Sequence, residues 1–123
     1  MDMTRVLFID DDVLTLELMS KVSQVLGFQA IMSTSALQGL KMAVHEKPSL
    51  VMVDMQMDEM DGSEFVRRLR RLPDLADLPV LIYTVGTGGP DEERARQAGA
   101  NALLHKPLSL NDISRVIQSY AAS

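Results

Sequence analysis

Three short runs, Val6–Ile9, Leu50–Val53 and Val80–Tyr83, are apolar at every position rather than at every second one. A strand that buries one face alternates, whereas a strand apolar on both faces has to be covered on both, as in a parallel sheet packed between helices. Each run ends in polar residues: Asp10 with Asp11 and Asp12, then Asp54, then Thr84. In an open α/β sheet the C-terminal strand ends form the edge where ligands bind, so these residues stand where chemistry is expected. Asp12, directly before Val13-Leu14, also suits the N-cap of a following helix. The run can shift by one residue, so its own pattern leaves open whether the acidic pair on that edge is Asp10 and Asp11 or Asp11 and Asp12.

Helical patterns separate the runs. Leu14, Leu18, Val22 and Val25 recur at three- and four-residue intervals, which predicts a helix with that stripe on the sheet, ended by Gly27 as a left-handed cap. Phe28–Met32 reads as a second strand, and Ala36, Leu40, Ala43 and Val44 stripe a second helix that ends before Pro48. Asp61-Gly62 reads as a turn, Phe65, Leu69 and Leu72 as the stripe of a third helix, and residues 72–79 as a loop bracketed by prolines. Val85–Pro90 is glycine-rich and is expected to be the most mobile loop. A fourth helix from about Asp91 closes at Gly99, Ala102–Leu104 is a brief last strand, and Ile113, Val116, Ile117 and Tyr120 stripe a last helix that Ser109 or Asn111 caps. Strand and helix alternate five times with no repeat or linker. That pattern predicts one α/β domain built on a doubly wound five-stranded parallel sheet with right-handed crossovers.

Composition narrows the function. A chain of 123 residues holds one domain, and no stretch approaches the roughly 20 apolar residues that cross a bilayer. Met1–Thr4 lacks the basic and apolar regions of a secretory signal, so a cytoplasmic location is expected. The absence of cysteine excludes disulfides and thiolate metal sites. A net charge of −5 argues against a nucleic-acid surface, and the cluster Arg67, Arg68, Arg70 and Arg71 reads as a solvated helix face. Met52, Met55, Met57 and Met60 read as gap-filling core, and His45 and His105 as isolated and incidental.

In the predicted sheet, the residues closing strands one, three, four and five converge: Asp10, Asp11, Asp54, Thr84 and Lys106. Three carboxylates within several ångströms repel by roughly a few kcal/mol per pair at an effective dielectric near 20, so a cation is required. Lys106 answers one charge, and a hard divalent ion such as Mg²⁺, which takes carboxylate and phosphate oxygens, answers the rest. A carboxylate held this way is a nucleophile toward phosphorus that yields an acyl phosphate. Lys106, the Thr84 hydroxyl and the ion would stabilise charge on the transferring oxygens. A nucleotide or flavin site would need backbone amides around a phosphate. The chain has no G-x-x-x-x-G-K pattern, and its acidic first loop repels phosphate.

Asp10-Asp11, Asp54 followed by Met60-Asp61-Gly62, Thr84, and Lys106-Pro107 together resemble the receiver domain of two-component response regulators, across essentially all of residues 1–123. The resemblance implies a flavodoxin-like sheet of order 2-1-3-4-5 and a signalling switch rather than an enzyme. It implies that Asp54 accepts a phosphoryl group from a histidine kinase or phosphotransfer protein. By the same resemblance Asp10, Asp11, Asp54 and the backbone carbonyl of Gln56 hold Mg²⁺, Lys106 pairs with the phosphoryl group, Thr84 is the switch hydroxyl, and Pro107 follows a cis peptide bond. Phosphorylation would then shift a surface of the fourth helix, fifth strand and fifth helix toward a downstream protein target or output domain. No direct nucleic-acid or membrane binding is implied, and the fourth-helix face is available for homodimerisation. The chain stops just after the fifth helix, so no output domain is expected on it. Three positions depart from the family pattern. Asp58 replaces a usual proline and predicts a looser, more acidic loop; Val85 replaces a small residue and predicts narrower access to Asp54. Leu103 replaces a common aromatic, which shifts signalling onto Thr84, the glycine-rich loop and the fourth helix. These departures keep an alternative in view, a receiver-fold scaffold that acts without phosphorylation.

Overall fold

The computed structural model describes residues 4–85 and 89–121. Its strands are β1 (Arg5–Ile9), β2 (Gln29–Ser33), β3 (Leu50–Asp54), β4 (Val80–Thr84) and β5 (Ala102–His105). They alternate with helices α1 (Val13–Leu26), α2 (Ala36–Glu46), α3 (Gly62–Arg70), α4 (Gly89–Ala98) and α5 (Leu110–Val116), and α5 continues as a π-helical turn over Ile117–Ala121. All neighbouring strands pair in parallel in the order β2-β1-β3-β4-β5. This is the doubly wound single-domain sheet expected from the pattern of runs.

The continuous runs are apolar because their alternate residues serve two cores. Leu7, Ile9, Val51, Val53, Val80 and Ile82 face Ala36 and Ala43 of α2, Phe65, Val66 and Leu69 of α3, and Ala95 and Ala98 of α4. Val6, Phe8, Leu50, Met52, Leu81 and Tyr83 face Leu16, Met19 and Val22 of α1 with Ile113 and Val116 of α5. Contact between α2 and β1 is close enough to need Gly39, where a Cβ would lie 2.7 Å from Ile9 Cδ1. Met52 and Met55 are buried core, and Met57 and Met60 pack against it.

Several details differ from the sequence pattern. The buried face of α1 is Leu16, Met19, Val22 and Ser23, not the stripe through Leu14, Leu18 and Val25, which is exposed. The helix carries two adjacent apolar faces that share Val22, and three-four periodicity cannot choose between them. The short β1–α1 connection does, because it fixes the angle at which the helix leaves the sheet. In α2 the small residues Ala36, Gly39 and Ala43 are buried while Val44 is exposed. Asp61 is the N-cap of α3 rather than part of a turn, α4 begins at Gly89, and Ser109 caps α5 in a capping box with Asp112. Gly27, at φ 81°, ends α1 as expected. Of the loop expected to be most mobile, residues 86–88 lie outside the described residues.

Arg70 is not part of a solvated face. Its guanidinium donates to the carbonyls of Leu75 at 3.1 Å and Leu78 at 2.6 Å, to Gly99 O at 2.9 Å and to Asn101 Oδ1 at 3.0 Å. Five donors in one planar fork let a single side chain fix both the α3–β4 loop and the α4–β5 turn. Arg67 and Arg68 behave as expected, paired with Glu64 on the surface.

The observed face of α1 gives a direct test. Leu16→Ala should destabilise the domain by about 2–4 kcal/mol through lost burial and a residual cavity, whereas Leu14→Ala should change stability by no more than about 0.5 kcal/mol. Urea unfolding of the two variants checks this, and the reverse order would restore the other face.

Candidate functional site

Strand register builds the site. Ile9 pairs with Val53, Asp54 with Tyr83, and Thr84 with His105, so the residues that leave β1, β3, β4 and β5 step off the same sheet edge. The ladder extends past the strands: Asp10 N–H donates to Ser33 O, Met55 N–H to Tyr83 O and Lys106 N–H to Thr84 O. Gly62 allows α3 to start against this edge, since a Cβ there would lie 2.7 Å from the Asp54 carbonyl oxygen.

Asp10, Asp11 and Asp54 come together, each offering a carboxylate oxygen within 4.8 Å of the others. Asp12 does not join them. Its carboxylate caps α1, accepting from Leu14 N–H at 3.1 Å and Thr15 Oγ1 at 2.9 Å. The pair left open by the sequence is therefore divided: Asp10 and Asp11 face the cluster, and Asp12 serves the helix. Lys106 Nζ lies 3.4 Å from Asp54 Oδ2 and 3.6 Å from Asp10 Oδ2, and the Lys106–Pro107 peptide is cis. Gln56 N–H donates to Asp54 Oδ1 at 3.3 Å. One ammonium beside three clustered carboxylates leaves an excess of negative charge, and the donors are all hard oxygens. That set fits a hard divalent cation such as Mg²⁺.

Asp10 is fully buried, and it is held by groups the sequence did not single out. Tyr83, buried at the end of β4, donates its hydroxyl to Asp10 Oδ2 at 3.0 Å, and Asp12 N–H donates to Asp10 Oδ1 at 2.9 Å. Burial and the neighbouring Asp10 raise the Tyr83 phenol well above its usual range, so it stays a donor. The only sequence signal was one hydroxyl-bearing residue in an otherwise aliphatic run, next to an acidic edge.

The β3–α3 loop is acidic, as Asp58 suggested, but it is tied down rather than loose. Asp58 N–H donates to Asp11 Oδ2 at 3.1 Å, and Glu59 accepts from Ala36 N–H at 2.5 Å and from Ser35 Oγ at 3.3 Å at the start of α2. These contacts join residues more than twenty positions apart and leave no local trace in the sequence. An open cavity of about 600 Å³ lies over the loop, lined by Asp11, Asp12, Gln56, Asp58, Asp61 and Arg94. Val85 is not among these residues. It is exposed and lines an apolar cavity of about 310 Å³ with Leu18, Met19, Lys106, Pro107 and Leu108. Thr84 is buried, and its hydroxyl donates to Asp91 Oδ2 at 2.8 Å with Gln56 Oε1 at 3.2 Å. Leu103 is half-buried and packs against the α2–α3–α4 core. His45 and His105 stand outside the cluster.

The family model of the response regulator receiver domain matches residues 6–118. Two relatives, the polar-differentiation response regulators DivK of Brucella ovis and Brucella anthropi, are 31% and 30% identical over 115 residues, covering 94% of this chain and 94% of their own. Among solved structures, the chemotaxis protein CheY4 of Vibrio cholerae matches with a TM-score of 0.90 at 24% identity, over 96% of this chain and 98% of that one. The receiver domain of the sensor histidine kinase PA1611 from Pseudomonas aeruginosa PAO1, which has a magnesium ion coordinated in its active-site cleft, matches with a TM-score of 0.89 at 20% identity over 100% of both chains. At these identities the two structures bear on the fold.

Burial, with Asp10 alongside, raises the Asp54 carboxyl from 3.8 to about 6, against the opposing pull of Lys106. A carboxyl raised in the folded state holds its proton more tightly there than in the unfolded chain. Its contribution to stability is therefore present below its unfolded value and is lost as pH rises from about 4 through about 6. Asn at this position has no such loss. In chelator-treated protein, Asp54→Asn should gain on the wild type as pH rises across that window, by about 3 kcal/mol, and the gain should level off above about pH 7. Urea unfolding at several pH values measures the difference; a difference independent of pH would contradict it.

Proposed function

This chain belongs to the response regulator receiver domain family, the phosphoacceptors of two-component signalling, and we propose that Asp54 is the residue that takes the phosphoryl group. One observation carries the assignment. Asp54 is the carboxylate that closes the central strand of the acidic edge, and it meets Lys106 Nζ on one oxygen and the Gln56 amide on the other.

The donor is a phosphohistidine on a histidine kinase or phosphotransfer protein. An Asp54 oxygen forms the new P–O bond as the P–N bond breaks, and the imidazole keeps the electron pair and takes up a proton. The product is an aspartyl phosphate. In the ion-free protein the carboxyl sits near 6, so at neutral pH it is largely ionised, the form that attacks phosphorus. Lys106, already between Asp54 and Asp10, turns its ammonium to the phosphoryl oxygens. Asp10, Asp11, Asp54 and the backbone carbonyl of Gln56 would hold Mg²⁺; three carboxylates within 4.8 Å of one another support that choice of ion, as does the magnesium ion in the Pseudomonas receiver cleft. When bound, Mg²⁺ neutralises charge on the carboxylates and on the transferring oxygens. Tyr83 and the Asp12 amide keep Asp10 oriented toward the cluster.

The product adds nearly two negative charges at the sheet edge. Drawing the Thr84 hydroxyl toward them moves the start of α4, and the surface of α4, β5 and α5 changes its fit to a downstream protein, an output domain or a second copy of the chain. In this reading the domain is a switch rather than an enzyme and binds neither nucleic acid nor membrane. The same proposal has it act in the cytoplasm; no helix among the described residues is long and apolar enough to cross a bilayer.

Beryllofluoride mimics a phosphoryl group on a carboxylate. With Mg²⁺ and beryllofluoride at about a hundred times their dissociation constants, the protein should gain about 2–3 kcal/mol of stability. Either ligand alone should give less, and Asp54→Asn should lose the joint effect. Full stabilisation retained in Asp54→Asn would place the acceptor elsewhere.

A further inference from the structure

The Thr84 hydroxyl has one proton, and in the unmodified protein it is already committed. It lies 2.8 Å from Asp91 Oδ2, a charged acceptor, and only 3.2 Å from the neutral Gln56 Oε1, so the bond to Asp91 is the stronger one. Asp91 is itself held. It sits in the first turn of α4, where the helix dipole favours an acid. Arg94 NH1 lies 3.6 Å from its other oxygen, Oδ1. Arg94 also binds Asp61, whose carboxylate caps α3 through the Glu64 amide. Burial would raise Asp61, but hydrogen bonds from Ser63 and the Glu64 amide, with Arg94 alongside, hold it below the usual carboxylate range. The result is a continuous chain from the end of β4, through α4, to the start of α3.

We propose that Asp91 is a positioning residue that holds the Thr84 hydroxyl away from the phosphoryl site, so that occupation of Asp54 has to take this hydrogen bond from it. The inference rests on the reading of Asp54 as phosphoacceptor and Thr84 as switch hydroxyl. One hydroxyl proton cannot be donated to Asp91 and to a phosphoryl oxygen at once. Binding at Asp54 therefore carries the loss of a charge-assisted bond, and that loss frees the first turn of α4 from β4. Asp91 sets both how tightly the site holds a phosphoryl group and how firmly α4 stays in its unmodified position.

The test uses the full chain with saturating Mg²⁺ and beryllofluoride as the phosphoryl mimic. Asp91→Ala should lower the dissociation constant for beryllofluoride by about tenfold, while the melting temperature of the unliganded protein stays level or falls. A merely structural role for Asp91 would weaken binding or leave it alone. Asp91→Asn, which keeps an oxygen acceptor without the charge, should tighten binding by less. In a Thr84→Val background, Asp91→Ala should change the constant by less than about twofold. Unchanged or weaker binding in Asp91→Ala overturns the proposal. Equal tightening with valine at 84 also overturns it, because the effect would then be charge repulsion alone. Failure of the wild type to bind beryllofluoride with Mg²⁺ would instead remove the reading of Asp54, and the role of Asp91 with it, before any variant at position 91 is made.

Discussion

Three carboxylates held within 4.8 Å of one another at the end of a buried sheet are the constraint on which the rest of the structure depends. Their repulsion is uncompensated unless cations and hydrogen-bond donors converge on the same point. The fold supplies them from four directions: Lys106 from just beyond β5, the Tyr83 hydroxyl from β4, and backbone amides from Asp12 and Gln56. Asp10, with no exposed surface, receives most of them. Asp54 receives fewer and keeps a raised affinity for a proton. That imbalance leaves Asp54 the less fully partnered of the two carboxylates.

The same edge organises what surrounds it. Asp11 accepts from Asp58, and Glu59 fastens the loop to α2, while Met55 N–H bonds to Tyr83 O on the other side, so the segment carrying the Gln56 carbonyl is positioned from both ends. Gly62 brings α3 against the backbone of Asp54. On the far side, the Thr84 hydroxyl is hydrogen-bonded to Asp91 of α4, and Arg94 links Asp91 to Asp61, the cap of α3. In the proposed switch, charge at the centre and movement at the surface are joined by these hydrogen bonds rather than by a large aromatic, in keeping with leucine at position 103.

The sheet and most of its acidic edge were legible in the sequence because burial on both faces marks every residue of a strand. Val6–Ile9, Leu50–Val53 and Val80–Tyr83 each carry that mark, and Asp10, Asp54 and Thr84 end them. The face of α1 was not legible: Leu14, Leu18 and Val25 are as apolar and as well spaced as Leu16, Met19 and Leu26, and the choice is made by the strand that precedes the helix. Neither was the work of Arg70, since four arginines within five residues show charge but not which one finds four acceptors. Tyr83, Glu59 and Asp91 act through partners on other elements, so nothing adjacent to them in the chain announces it. The division of the aspartate triplet lies between these cases. Three acids in a row were plain, but only the geometry of the α1 cap assigns Asp12 to the helix.

The central claim, that the acidic edge delivers Asp54 and not Asp11 as the nucleophile, is tested most directly by chemical trapping. Protein treated with a small-molecule phosphodonor and Mg²⁺ and then reduced with borohydride converts an aspartyl phosphate to homoserine, which peptide mass spectrometry locates. Homoserine at position 54 alone is the predicted result. Homoserine at position 10 or 11, or none at any position under conditions that phosphorylate a control receiver, would contradict it.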